Sequence, residues 1–186
     1  MEIRNKKGDL LLVLELPPPQ EGRTLGPIPR KGLMLDDAQL PEAQLKNANL
    51  EYAALDSADL SNADLENAQL AMSNLGSVNM SQANLRNADL YSVFASFGNF
   101  RGANMEGVDL RGANLTCADL REANLERADL SPDNMSGQAE LADADLSTAN
   151  LTGANFKNAR YDADTRFPTG FEPASFEMEF IPAPDQ

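Results

Sequence analysis

The sequence predicts an all-β solenoid, a chain that winds about an axis and stacks each coil on the last. Three observations carry this. A large apolar residue recurs every five positions from Leu35 through Leu40, Leu45, Leu50 and onward. A small residue, usually Ala, stands two places before each one, as at Ala38, Ala43, Ala48, Ala53 and Ala58. Asp or Asn commonly stands one place before, as at Asn49, Asp59, Asp64, Asn84, Asp89 and Asn99. The apolar series keeps one register from Leu35 to Met135. It resumes after a one-residue insertion at Leu141 and runs to Tyr161, giving 26 positions of which Leu fills 19.

A period of five suits neither regular element. Helices want apolar spacing near 3.6 and strands near 2. A helix would spread these leucines around its whole circumference, and Asn and Asp are poor helix formers. A regular Asp or Asn instead marks a turn in every unit, because its side chain can bond nearby backbone. Two inward residues and a turn per unit describe a coiling chain. Its stacked coils bury Leu and Ala in a central column and pair their backbones from coil to coil.

Ala-Asp-Leu-Ser-Asn from Ala58, Ala-Asn-Leu-Arg-Asn from Ala83 and Ala-Asn-Leu-Thr-Gly from Ala149 resemble units of the pentapeptide-repeat family. The resemblance covers residues 33–161. It implies a right-handed, quadrilateral parallel β-helix with four units per coil. The 26 units then make six to seven coils, a rod roughly 31 Å long at the usual strand spacing.

Twenty residues per coil would stack Leu50, Leu70, Leu90, Leu110 and Leu130 in one interior ladder. A second ladder runs Leu35, Leu55, Leu75, Ala95, Leu115 and Met135, with a gap at Ala95. A Leu-to-Ala gap costs about 2–5 kcal/mol unless something refills it. Two readings are open. Either Phe94 or Phe97 tucks in beside Ala95, or Tyr91, Phe94 and Phe97 stay outside as an aromatic anchor for a partner. Outside, Asp89, Asp109 and Asp129 stack on successive coils. Two readings apply: each caps its own turn, or together they form an acidic ladder that imitates a phosphate backbone. Arg101 and Arg121 stack on a neighbouring face and mix the signs there. Ser131 to Glu140, with Pro132 and Gly137, is expected to bulge and restore register.

Open solenoid ends expose strand edges and need covers. Residues 1–32 are expected to form an N-terminal cap. It comprises a short hairpin, with strands near Ile3–Asn5 and Leu10–Leu16 and a turn at Lys7-Gly8-Asp9, then a proline-rich connector from Pro17 to Pro29. The hairpin serves as a cap or as a docking strand. Residues 162–186 form a C-terminal cap and tail, in which Phe167, Phe171, Phe176 and Phe180 plug the last coil. The family resemblance allows these aromatics to form a C-terminal homodimer interface instead, leaving monomer and dimer both open. The Tyr-Asp, Thr, Phe-Pro and Gly-Phe run after Tyr161 resembles the closing segment of family members from photosynthetic bacteria.

Composition excludes more than it selects. The chain has 186 residues, no His and no Trp. Lys and Arg total 15 against 29 Asp and Glu, a formal charge of −14. Such a surface repels nucleic acid and anionic membranes and favours a protein partner with a basic patch. Cys117 is the single cysteine and has no His to activate it. No catalytic, cofactor or metal-ligating pattern stands out, so the chain is expected to be a non-enzyme without cofactor. Its longest apolar run, Leu10 to Leu14, is too short to span a membrane. Glu15 and the prolines after it do not suit a signal peptide, which leaves a cytoplasmic expectation. The function expected is a protein–protein interaction scaffold or regulator. The alternative, implied by the resemblance, is a DNA mimic that binds DNA gyrase or another type II topoisomerase.

Overall fold

The computed structural model describes residues 2–4, 7, 10–13, 32–135 and 137–182. The proline-rich connector expected at 17–29 lies outside the described residues.

Each five-residue unit forms one side of a coil. Three residues are extended, so the small residue and the central Leu point inward and the residue between them points out. Two residues then turn the corner. The corner closes when the Ala38 N–H donates to the Leu35 carbonyl at 3.1 Å, a bond repeated in unit after unit. The second corner residue is left-handed, with φ of 50–60° in most units. Asn47, Asn62, Asn67 and Asn87 and the glycines at 102, 107, 112 and 153 sit there because they tolerate that conformation best.

The residue before the central Leu does what its chemistry predicts. Asp59 Oδ1 accepts the Ser61 N–H at 3.0 Å, bracing the corner. Its amide counterparts also link coils, as where Asn79 Nδ2 donates to Asp59 Oδ1 and Asn99 Nδ2 to Asn79 Oδ1.

Successive coils pair in parallel at a separation of twenty residues, as in Met34–Ala54–Asn74–Phe94–Asn114. Four five-residue sides therefore complete a coil. We number the sides from the columns headed by Leu35, Leu40, Leu45 and Leu50. Three backbone bonds per unit tie coils together: Leu35 N–H to Ala54 C=O (2.7 Å), Asp37 N–H to Asp56 C=O (2.9 Å) and Ala54 N–H to Leu33 C=O (2.8 Å). The core is one continuous column of Leu and Ala, nearly all inaccessible to solvent.

One open choice is decided and one sequence expectation is corrected. First, of the two readings at Ala95, neither Phe94 nor Phe97 fills the gap; they are 50% and 66% exposed. Phe100, the central residue of the next side of the same coil, is fully buried and its ring reaches back over Gly98 toward Ala95. Gly98 stands where Ala is usual because a Cβ there would lie 2.6 Å from Phe100 Cε2. Second, Met135 is not in the core but 72% exposed. Leu115 is followed in its column by Leu141, since Asn114 pairs with Glu140. Pairing at this level spans 26 residues instead of 20, so the insertion is a six-residue excursion rather than one residue.

At the N-terminal end, β1 (Glu2–Arg4) and β2 (Leu10–Val13) pair antiparallel. The Arg4 carbonyl accepts the Gln44 N–H at 2.7 Å, laying β1 along the third side of the first coil. At the other end, β3 (Arg160–Tyr161) pairs in parallel with β4 (Glu179–Phe180). Between them a 3-10 turn covers Pro173–Phe176. Phe156 is buried edge-on to Phe171, which stacks on Phe167 and Phe176 at 4.8 and 4.5 Å. Phe176 and Phe180 keep 37% and 50% of their surface in solvent. Among the described residues no helix is long and apolar enough to cross a membrane.

Candidate functional site

The outward positions of the coils are mostly Asp, Asn, Ser, Arg and Glu, and the departures gather around the first side. Phe94 takes the outward position on the fourth rung of that side, between Asn74 and Asn114. Its ring leans over the bare Cα of Gly76, where an added Cβ would lie 3.3 Å from Phe94 Cε1. Phe97 takes the second corner position at φ 60°. A bulky residue gains nothing from left-handed backbone, which costs it about 1–2 kcal/mol. Its ring is two-thirds exposed, so burial does not offset the strain.

Tyr91 belongs to a different arrangement. It is half-buried, its ring lies 5.3 Å from the Arg111 guanidinium carbon, and its hydroxyl oxygen accepts the Asn134 N–H at 3.1 Å. Tyr91 therefore braces the excursion between Leu130 and Ala139. Asp133 is the hub of that excursion. Its Oδ1 accepts the N–H groups of Met135 (2.8 Å) and Gly137 (2.6 Å), and its Oδ2 accepts the Ser92 hydroxyl at 2.9 Å. Partial burial alone would raise this carboxyl, but the three donors hold it below the usual Asp value. The excursion thus folds back over the corner between the fourth and first sides. Met135 projects from it, and Met72 is exposed on the same corner. Sequence reasoning missed Met135, yet a signal was present, because Asp133 stands where the repeat wants a small residue.

The stacked acids have structural work. Asp89, Asp109 and Asp129 each accept the N–H two residues on, at 3.0, 3.1 and 3.0 Å. Arg111 forks onto Asp109 through Nε (2.9 Å) and Nη2 (2.6 Å) and approaches Asp129 at 4.0 Å. Arg121 repeats this on Asp119 and Asp145, and its hydrogen bond holds the Asp119 carboxyl low. The column is capped and partly neutralised, so it does not present a run of bare negative charge.

Cys117 is half-buried with Sγ 3.9 Å from Asp143 Oδ2. Burial, and then the neighbouring carboxylate, push its thiol above the ordinary value, which disfavours a nucleophilic thiolate. Asp143, Asp162 and Asp164 offer carboxylate oxygens within 4.8 Å of one another. Asp162 Oδ1 is already engaged by the N–H groups of Asp143, Asp164 and Thr165.

The Pentapeptide repeats family model matches in 8 copies across residues 38–75, 68–107, 99–131 and 137–160. No curated protein matches. Among solved structures the chain is similar to HetL, a pentapeptide repeat protein involved in heterocyst differentiation regulation from the cyanobacterium Nostoc sp. strain PCC 7120. The two are 26% identical over 78% of this chain and 73% of HetL, with a TM-score of 0.61. It is also similar to alr5209, a pentapeptide repeat protein of Nostoc (28% identity, 72% and 84% coverage, TM-score 0.39). QnrB1, a plasmid-mediated fluoroquinolone resistance protein, is a weaker likeness (17% identity, 81% and 90% coverage, TM-score 0.47). The five-residue sides, the left-handed corners and the family match agree, and the chain belongs to the pentapeptide-repeat family, whose fold is the right-handed parallel β-helix.

Proposed function

We propose that this protein is a non-catalytic interaction scaffold or regulator that engages a protein partner through Phe94 and Phe97. Tyr91 supports the site by holding the excursion that carries Met135. One observation supports this above the others: Phe97 combines a displayed ring with a left-handed backbone that the fold itself would rather give to Asn or Gly. The likeness to HetL, a protein of differentiation control, goes with a regulatory role. A phosphate-mimic acting on a topoisomerase draws on the charge of −14. It is disfavoured by Arg111 and Arg121, which sit within the acidic columns the mimic would need bare.

The test is retention of proteins from native lysate on immobilised wild type and on a Phe94→Ser/Phe97→Asn double variant, read by mass spectrometry. A protein retained by the wild type alone supports the site. Equal retention of every partner by both removes the aromatics from the argument. A topoisomerase subunit held by both returns the acidic column to first place, with Asp89, Asp109 and Asp129 as the next residues to change.

A further inference from the structure

The corner between the first and second sides has a charge pattern unlike the other three. Its corner residues begin with Asp36, Asp37 and Asp56 at the N-terminal end and finish with Asp143, Asp162 and Asp164 at the other. Between these groups every corner residue is uncharged: Ser57, Gly76, Ser77, Ser96, Phe97, Thr116, Cys117 and Ala142. The outward positions of the adjoining first side are uncharged over the same stretch, at Ala54, Asn74, Phe94 and Asn114. Phe97 stands at the middle of the neutral stretch, about two rungs, or ~10 Å, from the acids on either side.

None of the six acids has an ion-pair partner among the described residues. Every lysine and arginine from 32 to 182 is instead paired with a carboxylate elsewhere. Among the described residues, none of these cations pairs with an acid of this corner. Three features therefore coincide along one line: two acidic groups without an ion pair among the described residues, a neutral stretch between them, and an aromatic on left-handed backbone at its centre. A solvated surface would mix signs here as it does on the other corners.

We infer that this corner binds an elongated segment of a protein partner with an apolar centre and Lys/Arg groups at both ends, the ends spaced about 24 Å apart, near five rungs of the rod. The inference rests on the aromatic site proposed above and specifies the chemistry that completes it. The spacing matches roughly 16 residues of helix or roughly 7 of extended chain. The apolar centre covers Phe94 and Phe97. The basic ends neutralise Asp36, Asp37 and Asp56 on one side and Asp143 and Asp164 on the other. Asp162 holds its own turn and is left to that role.

The test is a selection from a phage-displayed library of random 20-residue peptides on the full chain, followed by titration of enriched, labelled peptides by fluorescence anisotropy. Four proteins are compared: wild type, Phe94→Ser/Phe97→Asn, Asp36→Asn/Asp37→Asn/Asp56→Asn, and Asp143→Asn/Asp164→Asn. Asn keeps the local oxygen acceptors, including the one on Asp36 that takes the Asp56 N–H, so the acid variants remain folded, which their melting curves check. The expected peptides carry basic ends around an apolar centre. Their affinity falls about tenfold or more in the aromatic variant and about tenfold in each acid variant, and it weakens with added salt. Loss in the aromatic variant alone, with both acid variants binding normally, overturns this inference and leaves the aromatic site standing. Peptides that bind all four proteins equally overturn both. Enriched peptides without basic residues, or no enrichment, also overturn the inference.

Discussion

The third side and the first side share one interior and differ over much of their outer surface. Along the corner that follows the third side, signs alternate from coil to coil. Lys46 meets Glu66 at 2.7 Å, Arg86 meets Glu106 at 3.4 Å, and Arg127 also reaches Glu106. The hydrogen bond between the first two raises the Lys46 ammonium and lowers the Glu66 carboxyl. This is how a rung is finished when it answers only to solvent. The first side keeps one such pair, Arg160 with Glu140 at 2.8 Å near its C-terminal end, and elsewhere shows Phe94, Phe97 and acids without an ion pair among the described residues. The comparison teaches that one interior column, with the same Asp or Asn brace at most outward positions, supports two different outer surfaces.

If the interiors are equivalent, emptying either is equally damaging. Leu85→Ala beneath the third side and Phe100→Ala beside Ala95 should each cost about 3–5 kcal/mol, measured by urea unfolding. Phe100 sharpens the point. Ala95→Leu alone overpacks by about 1–3 kcal/mol, while Ala95→Leu with Phe100→Leu should cost clearly less than the two separate changes added together. Strict additivity would show that Phe100 does not occupy the space Ala95 leaves.

That exchange was only half legible in the sequence. The period of five, the small inward residue and the Asp or Asn brace each depend on neighbours within a few residues, so the coil could be read directly. Which ring fills the gap at Ala95 depends on whether each position faces in or out. The five-residue register already placed Phe94 and Phe97 outward and Phe100 inward; it did not show that a ring from the next side reaches the space beside Ala95. The excursion was misread for an arithmetic reason. An insertion of one residue and one of six leave a five-residue register in the same phase, and Met135 happens to fall on the apolar beat. Backbone pairing of Asn114 with Glu140 distinguishes them. Charge segregation along the corner became visible only when residues twenty apart were seen stacked.

The excursion is the next largest effect. Asp133→Ala removes acceptors from Met135, Gly137 and Ser92 and should cost about 1–3 kcal/mol, read as loss of stability and faster proteolysis between Ser131 and Gln138. Acid should mimic it. The folded carboxyl titrates below the unfolded one, so its contribution is whole above the ordinary Asp value, roughly 3.9. It fades as pH falls through the lower folded value. Cleavage that does not change on acidification would remove Asp133 as the hub.

On the first side the expected sign reverses. Phe97→Asn relieves left-handed strain at a site where Asn is common and loses little burial, so it should leave stability unchanged or raise it by up to about 1 kcal/mol. A clear loss of stability would mean the ring is held by the fold rather than kept for a partner.

The smallest effect separates the two sides most cleanly. Lys46→Gln on the third side strands Glu66 without its partner and should lower the melting temperature slightly. Asp37→Asn on the first side removes one of several like charges and places Asn in a left-handed corner, so it should raise the melting temperature slightly. Neither change touches the core, and the electrostatic share of each shrinks as salt screens the surface. Opposite signs at low salt that converge at high salt match a mixed third side and a segregated first side. Equal signs would mean that Asp36, Asp37 and Asp56 are balanced within the molecule, leaving no unmet charge there for a basic partner to answer.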